Sequence, residues 1–127
     1  MKPDSRRLLV IDDEAVLRSL LRDMLEACGY QADIAADGPT GLARFREGRY
    51  EAVITDLLMP GMNGLQVATE IRMLDPEVQV ILLTGSAPAL TEDRARESGV
   101  TTLLHKPIAL ADLKTAVDAA CSAAGCR

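Results

Sequence analysis

Three acidic residues and a lysine stand where apolar runs end. Asp12 and Asp13 follow Leu8-Leu9-Val10-Ile11, Asp56 follows Val53-Ile54-Thr55, and Lys106-Pro107 follows Leu103-Leu104-His105. Were these runs neighbouring parallel strands, three carboxylates and an ammonium would meet at one sheet edge. Crowded carboxylates repel one another and resist ionisation. A hard divalent cation relieves that repulsion, and Mg²⁺ (or Mn²⁺) suits a site offering a few carboxylates, a carbonyl and room for water. The carbonyl of Leu58, two residues after Asp56, is placed to contribute. Asp56 is central and is the natural nucleophile: a carboxylate attacking phosphorus gives an acyl phosphate. The cation and Lys106 would offset charge on the transferring group. Thr84 closes another apolar run, where its hydroxyl can bond a phosphoryl oxygen, and Gly85 beside it carries no side chain to block approach.

The elements that must position these groups are legible in the hydropathy pattern. Five short runs, Arg7–Ile11, Gln31–Ala35, Ala52–Thr55, Val78–Leu83 and Thr101–Leu104, recur at strand–helix spacing. The first, third and fourth are continuously apolar, as strands covered on both faces are. The second alternates and reads as an edge. Between them, Leu17, Leu20, Leu21, Met24, Leu25 and Cys28 form one helical face, with Arg18, Arg22 and Glu26 on the other and Gly29 as the stop. Asp37 caps the next helix, with Pro39 in its first turn and Leu42 and Phe45 inward. Leu65, Ala68 and Ile71 mark a third helix, which Pro76 ends. Leu110, Leu113, Val117 and Ala120 mark the last. The segment Glu92–Glu97 has only Leu90 and Ala95 as apolar anchors before Gly99, so it should shift most easily. The pattern is (βα)₅ in an α/β doubly wound parallel sheet, because right-handed crossovers place helices on both faces. In such sheets function lies beyond the carboxyl ends of the strands, where all the chemical residues fall. A cis Lys106–Pro107 bond fits that strand end.

The 127 residues amount to one domain, spanning 1–127 with a core over about 6–122. Hydrophobic residues make up 48% of the chain, yet Tyr30, Phe45 and Tyr50 are its only aromatics, so the core is aliphatic and platforms for stacking bases are nearly excluded. A net charge of −5 argues against direct nucleic-acid binding. Cys28, Cys121 and Cys126 form no CxxC and His105 is far from all of them in sequence, so zinc spacing is absent. With no signal-peptide pattern and no stretch of transmembrane length, the cysteines read as reduced thiols of a soluble cytoplasmic protein, with no membrane partner. His105 itself should face away from the side used by Lys106.

Asp12-Asp13-Glu14, Asp56-Leu57-Leu58-Met59-Pro60-Gly61-Met62-Asn63-Gly64, Thr84-Gly85 and Lys106-Pro107 together resemble the receiver domain of bacterial two-component response regulators, over essentially the whole chain. The resemblance implies a flavodoxin-like three-layer sandwich with strand order 2-1-3-4-5. It implies Asp56 as phosphoacceptor from the phosphohistidine of a sensor histidine kinase or phosphotransfer protein. Asp13 and Asp56 would then ligate Mg²⁺ directly and Asp12 mainly through water, with Thr84 and Lys106 engaging the phosphoryl group. It further implies an output domain or partner reading the face made by the fourth helix, fifth strand and fifth helix, or a phosphorylation-linked dimer. Receivers usually carry Tyr or Phe three residues before the lysine as a switch beside the threonine. Here that switch position is Leu103, so the aromatic readout cannot operate in its usual form. Leu58 and Ser86 hold the family's variable positions that tune dephosphorylation. Neither offers a carboxylate or amide to orient water, which implies a long-lived phosphoryl state.

Taken singly, Asp12-Asp13 could be a cap and a solvated acid, Asp56 a turn residue, Thr84 a strand terminus, and the charges of Glu92–Glu97 a solvated helix face. Jointly they favour a switch that catalyses only its own phosphorylation and dephosphorylation. Two other functions compete with it. An Mg²⁺-dependent phosphatase with an aspartyl-phosphate intermediate would want a second acid two residues after Asp56, where Leu58 stands. A non-phosphorylated interaction scaffold would not need all five site residues.

Overall fold

Alternate residues of the first strand feed two separate cores, one on each face of the sheet. The computed structural model describes residues 6–85 and 92–125. Strands β1 (Arg7–Ile11), β2 (Gln31–Ala35), β3 (Ala52–Asp56), β4 (Gln79–Thr84) and β5 (Thr102–His105) alternate with helices α1 (Ala15–Ala27), α2 (Gly38–Glu47), α3 (Gly64–Leu74), α4 (Glu92–Glu97) and α5 (Leu110–Gly125). The strands form one sheet in the order β2-β1-β3-β4-β5. All four pairings are parallel. Leu9 and Ile11 join Val53, Val80 and Leu82 under α2, α3 and Ala95 of α4. Leu8 and Val10 join Ile54, Ile81 and Leu83 under α1 and α5. The period of two along each strand thus yields a three-layer α/β/α sandwich.

Strands β1, β3 and β4 are buried almost throughout, as their continuous apolar runs require, and β2 lies at an edge. The last three strands differ from expectation by one residue. β3 extends to Asp56, while β4 and β5 each begin and end one residue later. Polar Asp56, Thr84 and His105 still make ladder bonds, because pairing is set by the backbone and not by hydropathy. Gly29 (φ +95°) ends α1 in a left-handed turn, with its own N–H bonded to Glu26 O and that of Tyr30 to Leu25 O. Gly99 (φ +99°) does the same for α4, where the Val100 N–H reaches Ala95 O. Asp37 caps α2 by accepting from the Thr40 N–H at 2.8 Å.

Two apolar residues expected to face inward do not. Leu20 is 51% exposed and Leu110 is 47% exposed. Leu20 lies at the margin of the α1 stripe, while Leu21 and Leu25 are the α1 residues buried in the core beneath α1 and α5. Leu110 opens α5 above the sheet edge, and burial starts with Leu113. Ala95 is buried as expected, whereas Leu90, Ser86 and Cys126 lie outside the described residues. Cys121 is a buried core thiol and Cys28 is half-buried, both free. His105 is exposed. At the opposite end of the sheet from the acidic residues, Asp33 accepts bonds of 2.6 Å from both Arg7 and Tyr50, and Tyr50 stacks on Phe45.

Candidate functional site

The carboxyl ends of β1, β3, β4 and β5 bring the predicted side chains together. Asp12 follows β1 directly, and its N–H still pairs with Ala35 O of β2 at 3.1 Å. Its side chain is fully buried, and Oδ1 accepts from the Glu14 N–H at 2.9 Å. Asp13, one residue on, is exposed. Asp56 closes β3 beside Leu83 of β4 and is only 6% exposed. Oxygen atoms of Asp12, Asp13 and Asp56 lie within 4.8 Å of one another. Lys106 follows β5, its N–H bonded to Thr84 O at 2.8 Å. From there Nζ reaches Asp56 Oδ1 at 2.9 Å. The Lys106–Pro107 peptide bond is cis.

One ammonium therefore faces three carboxylates in a largely buried space. Burial pushes the Asp12 carboxyl above its ordinary value, and the charges of Asp56 and Asp13 push the same way, while the Glu14 N–H and Lys106 pull it back. Among the described residues, Asp12 Oδ2 and Thr84 Oγ1 are the buried side-chain atoms without a hydrogen-bond partner. Buried polar atoms are rarely left unpaired, and Asp12 belongs to the acidic cluster, where a cation would supply its missing partner. Every carboxylate donor is an oxygen, the set a hard divalent ion takes. The residues fit such an ion.

The loop after Asp56 is held by its own sequence. Leu57 and Met59 are buried anchors, and between them Leu58 is 65% exposed. The Leu57 N–H bonds Leu83 O, and its carbonyl accepts from the Gly64 N–H at 2.8 Å. Gly61 takes φ +78° to turn the chain. Asn63 and Gln66 form a reciprocal capping box that fixes the start of α3. Gly64 packs so tightly below Asp56 that a Cβ there would sit 2.4 Å from the Asp56 carbonyl oxygen. By contrast, among the described residues a Cβ on Gly85 would meet only Lys106 Cδ, at 3.8 Å. Leu103 lies apart from the cluster, inside β5, and packs against the core under α3 and α4. It lines a cavity of about 180 Å³ with Ala95, Arg96, Val100, Thr101 and Thr102.

The pattern defining the response regulator receiver domain matches residues 8–118. The chain belongs to this family. The receiver is 36% identical over 111 residues to the sensor histidine kinase RcsC of Escherichia coli K12, covering 87% of this chain and 12% of that protein. It is 32% identical over 115 residues to the transcriptional regulatory protein RprY of Bacteroides fragilis, covering 89% of this chain and 48% of that one. It therefore spans less than half the length of these relatives. Among solved structures it superposes on the response regulator TrrA of Thermotoga maritima in complex with Mg²⁺-BeF with a TM-score of 0.83 and 36% identity, covering 91% and 98% of the two chains. A receiver domain protein from Clostridium thermocellum gives a TM-score of 0.87 and 32% identity over 92% and 94%. The sheet order 2-1-3-4-5 is that expected of a flavodoxin-like receiver. Among the described residues no helix is long and apolar enough to cross a membrane.

Some residues that shape the receiver's site escaped the sequence pattern. Arg18 was expected on the outer face of α1, yet its guanidinium turns back and donates to the Asp12 carbonyl oxygen at 2.7 Å. Helical spacing carries no signal for a bond between a side chain and a backbone atom six residues earlier. The Asn63–Gln66 box does have a signal, since Asn followed three residues later by Gln opens an apolar run. The close packing of Gly64 depends on backbone proximity and has none.

Proposed function

We propose that this receiver is a phosphorylation-controlled signalling switch in which Asp56 is the phosphoacceptor. The reading rests above all on the Asp56 carboxylate, held between Asp12 and Asp13 on one side and Lys106 on the other. Asp56 would attack the phosphorus of a phosphohistidine on a sensor kinase or phosphotransfer protein. The new P–O bond forms as the P–N bond breaks, and its electron pair leaves with the imidazole nitrogen. Asp12, Asp13, Asp56 and the Leu58 carbonyl would hold Mg²⁺ (or Mn²⁺), which supplies charge neutralisation to the transferring group. Lys106 adds a fixed positive charge at the same place. Thr84, whose hydroxyl has no partner among the described residues, is the group to engage a phosphoryl oxygen, and Gly85 carries no side chain to block the approach. The domain so read spans residues 1–127 and works in the cytoplasm.

Transmission would pass from Thr84 to α4 and β5 without an aromatic ring, because Leu103 holds the switch position. The helix–strand–helix face of α4, β5 and α5 is the surface we assign to an output domain, a partner or a second copy. A phosphatase role is disfavoured by Leu58, whose exposed aliphatic side chain offers no acid two residues after Asp56.

Incubation with acetyl phosphate and Mg²⁺, followed by intact-mass measurement, tests this reading. One phosphoryl group per chain, absent in Asp56→Asn, supports the switch. Repeated turnover of a small phosphate would support a phosphatase, and no label would leave a scaffold.

A further inference from the structure

Among the described residues three hydrogen bonds fix Asp12, and one of them comes from the side chain of another residue. The Asp12 N–H continues the ladder to Ala35, and Oδ1 closes a tight turn onto the Glu14 N–H. Both of those partners are backbone atoms. The third bond runs from Arg18 Nη1 to the Asp12 carbonyl at 2.7 Å and spans the first turn of α1. That turn is otherwise thinly secured. Glu14 at its N-cap makes no side-chain cap bond, and no acid lies in the first turn.

We propose that Arg18 is a positioning residue for the divalent cation. By holding the Asp12 carbonyl it fixes the peptide between Asp12 and Asp13, so that buried Oδ2 and the exposed Asp13 carboxylate stay aimed into the acidic cluster. The proposal rests on the Mg²⁺-dependent reading of that cluster. Arginine suits the task because its planar guanidinium stays charged when half-buried and makes a strong charge-assisted bond to a carbonyl.

The sign of the effect separates positioning from bare charge. A guanidinium near a cation site repels the cation, so deleting the charge alone should tighten Mg²⁺ binding. Deleting a positioning contact should weaken it.

The test is an MgCl₂ titration of the chain, followed by the amide NMR signals of Asp13 and Asp56, with thermal unfolding of each variant in metal-free buffer. Arg18→Ala and Arg18→Gln should weaken Mg²⁺ binding about tenfold, the lower end for groups that orient metal ligands. Arg18→Lys keeps a donor and should recover most of the loss. Arg22→Ala, which removes a solvent-side pairing with Asp23 on the same helix, should leave the affinity unchanged. Labelling by acetyl phosphate at saturating Mg²⁺ should stay within about twofold of the parent chain, since the loss lies in cation affinity. Unchanged or tighter binding in Arg18→Ala and Arg18→Gln would overturn the proposal. Loss of the fold in both would overturn it too, making Arg18 a stability residue. Failure of the parent chain to bind Mg²⁺ would instead bring down the reading of the site itself.

Discussion

Lys106 Nζ lies 2.9 Å from Asp56 Oδ1, although the two residues come from strands separated by β4. The contact joins the ends of β3 and β5 across the Thr84 position. It sets the lysine's charge against the carboxylate proposed to take the phosphoryl group. Lys106→Met should therefore slow phosphorylation of Asp56 by acetyl phosphate about 10²-fold, the scale of losing one preorganised charge-stabilising group. Label accumulation followed by intact mass, with folding checked by circular dichroism, measures this directly.

Gly64 offers a steric test of how Asp56 is seated. A methyl group there would press to 2.4 Å from the Asp56 carbonyl oxygen, a backbone atom that cannot swing aside. Gly64→Ala should destabilise the domain by about 2 kcal/mol and reduce labelling at the same time. Gly85→Ala meets, among the described residues, only Lys106 Cδ at 3.8 Å and should change stability by about 0.5 kcal/mol or less. Urea unfolding of both variants gives the comparison.

Asp12 makes a prediction about pH. Burial, aided by Asp56 and Asp13, raises its carboxyl above the ordinary 3.8, so between the two values the folded metal-free state holds a proton that the unfolded chain has already released. Stability is then full below the ordinary value and falls as pH rises through the raised one. Asp12→Asn keeps an oxygen for the Glu14 N–H and removes the charge. At neutral pH without metal it should stabilise the domain by about 1–2 kcal/mol. Mg²⁺ should raise the melting temperature of the parent chain and do so much less for the variant. Thermal unfolding across pH, with and without MgCl₂, reads both effects.

Leu103 lines a cavity of about 180 Å³ between α4 and β5. Leu103→Phe adds volume beside Ala95 and Val100 and should leave stability unchanged or raise it by about 0.5–1 kcal/mol. Denaturant midpoints measure this. A clear loss of stability would show that the cavity does not receive the ring.

The architecture was legible because Leu8–Ile11, Ala52–Ile54 and Val80–Leu83 are apolar at every position, as strands covered on both faces are, with amphipathic helices between them. Asp12, Asp13, Asp56, Thr84 and Lys106 were legible because strand ends map to one edge in this topology. Leu20 and Leu110 were misjudged because a helical stripe has margins, and only the packed neighbours decide where burial stops. Arg18 was missed for a different reason. Side-chain bonds to backbone carbonyls have no period, and a long charged residue on a helix flank looks the same whether it points outward or curls back. The cavity lined by Leu103 was likewise invisible, because the identity of one side chain does not tell what space its packed neighbours leave.

The central claim is that Asp56 accepts the phosphoryl group with the help of a cation. The most direct measurement is the position and stoichiometry of phosphate after incubation with acetyl phosphate, with and without Mg²⁺, read by intact mass and peptide mapping. One phosphoryl group on Asp56, dependent on Mg²⁺ and absent in Asp56→Asn, is the expected result. Label on another residue, or equal labelling of Asp56→Asn, would contradict it.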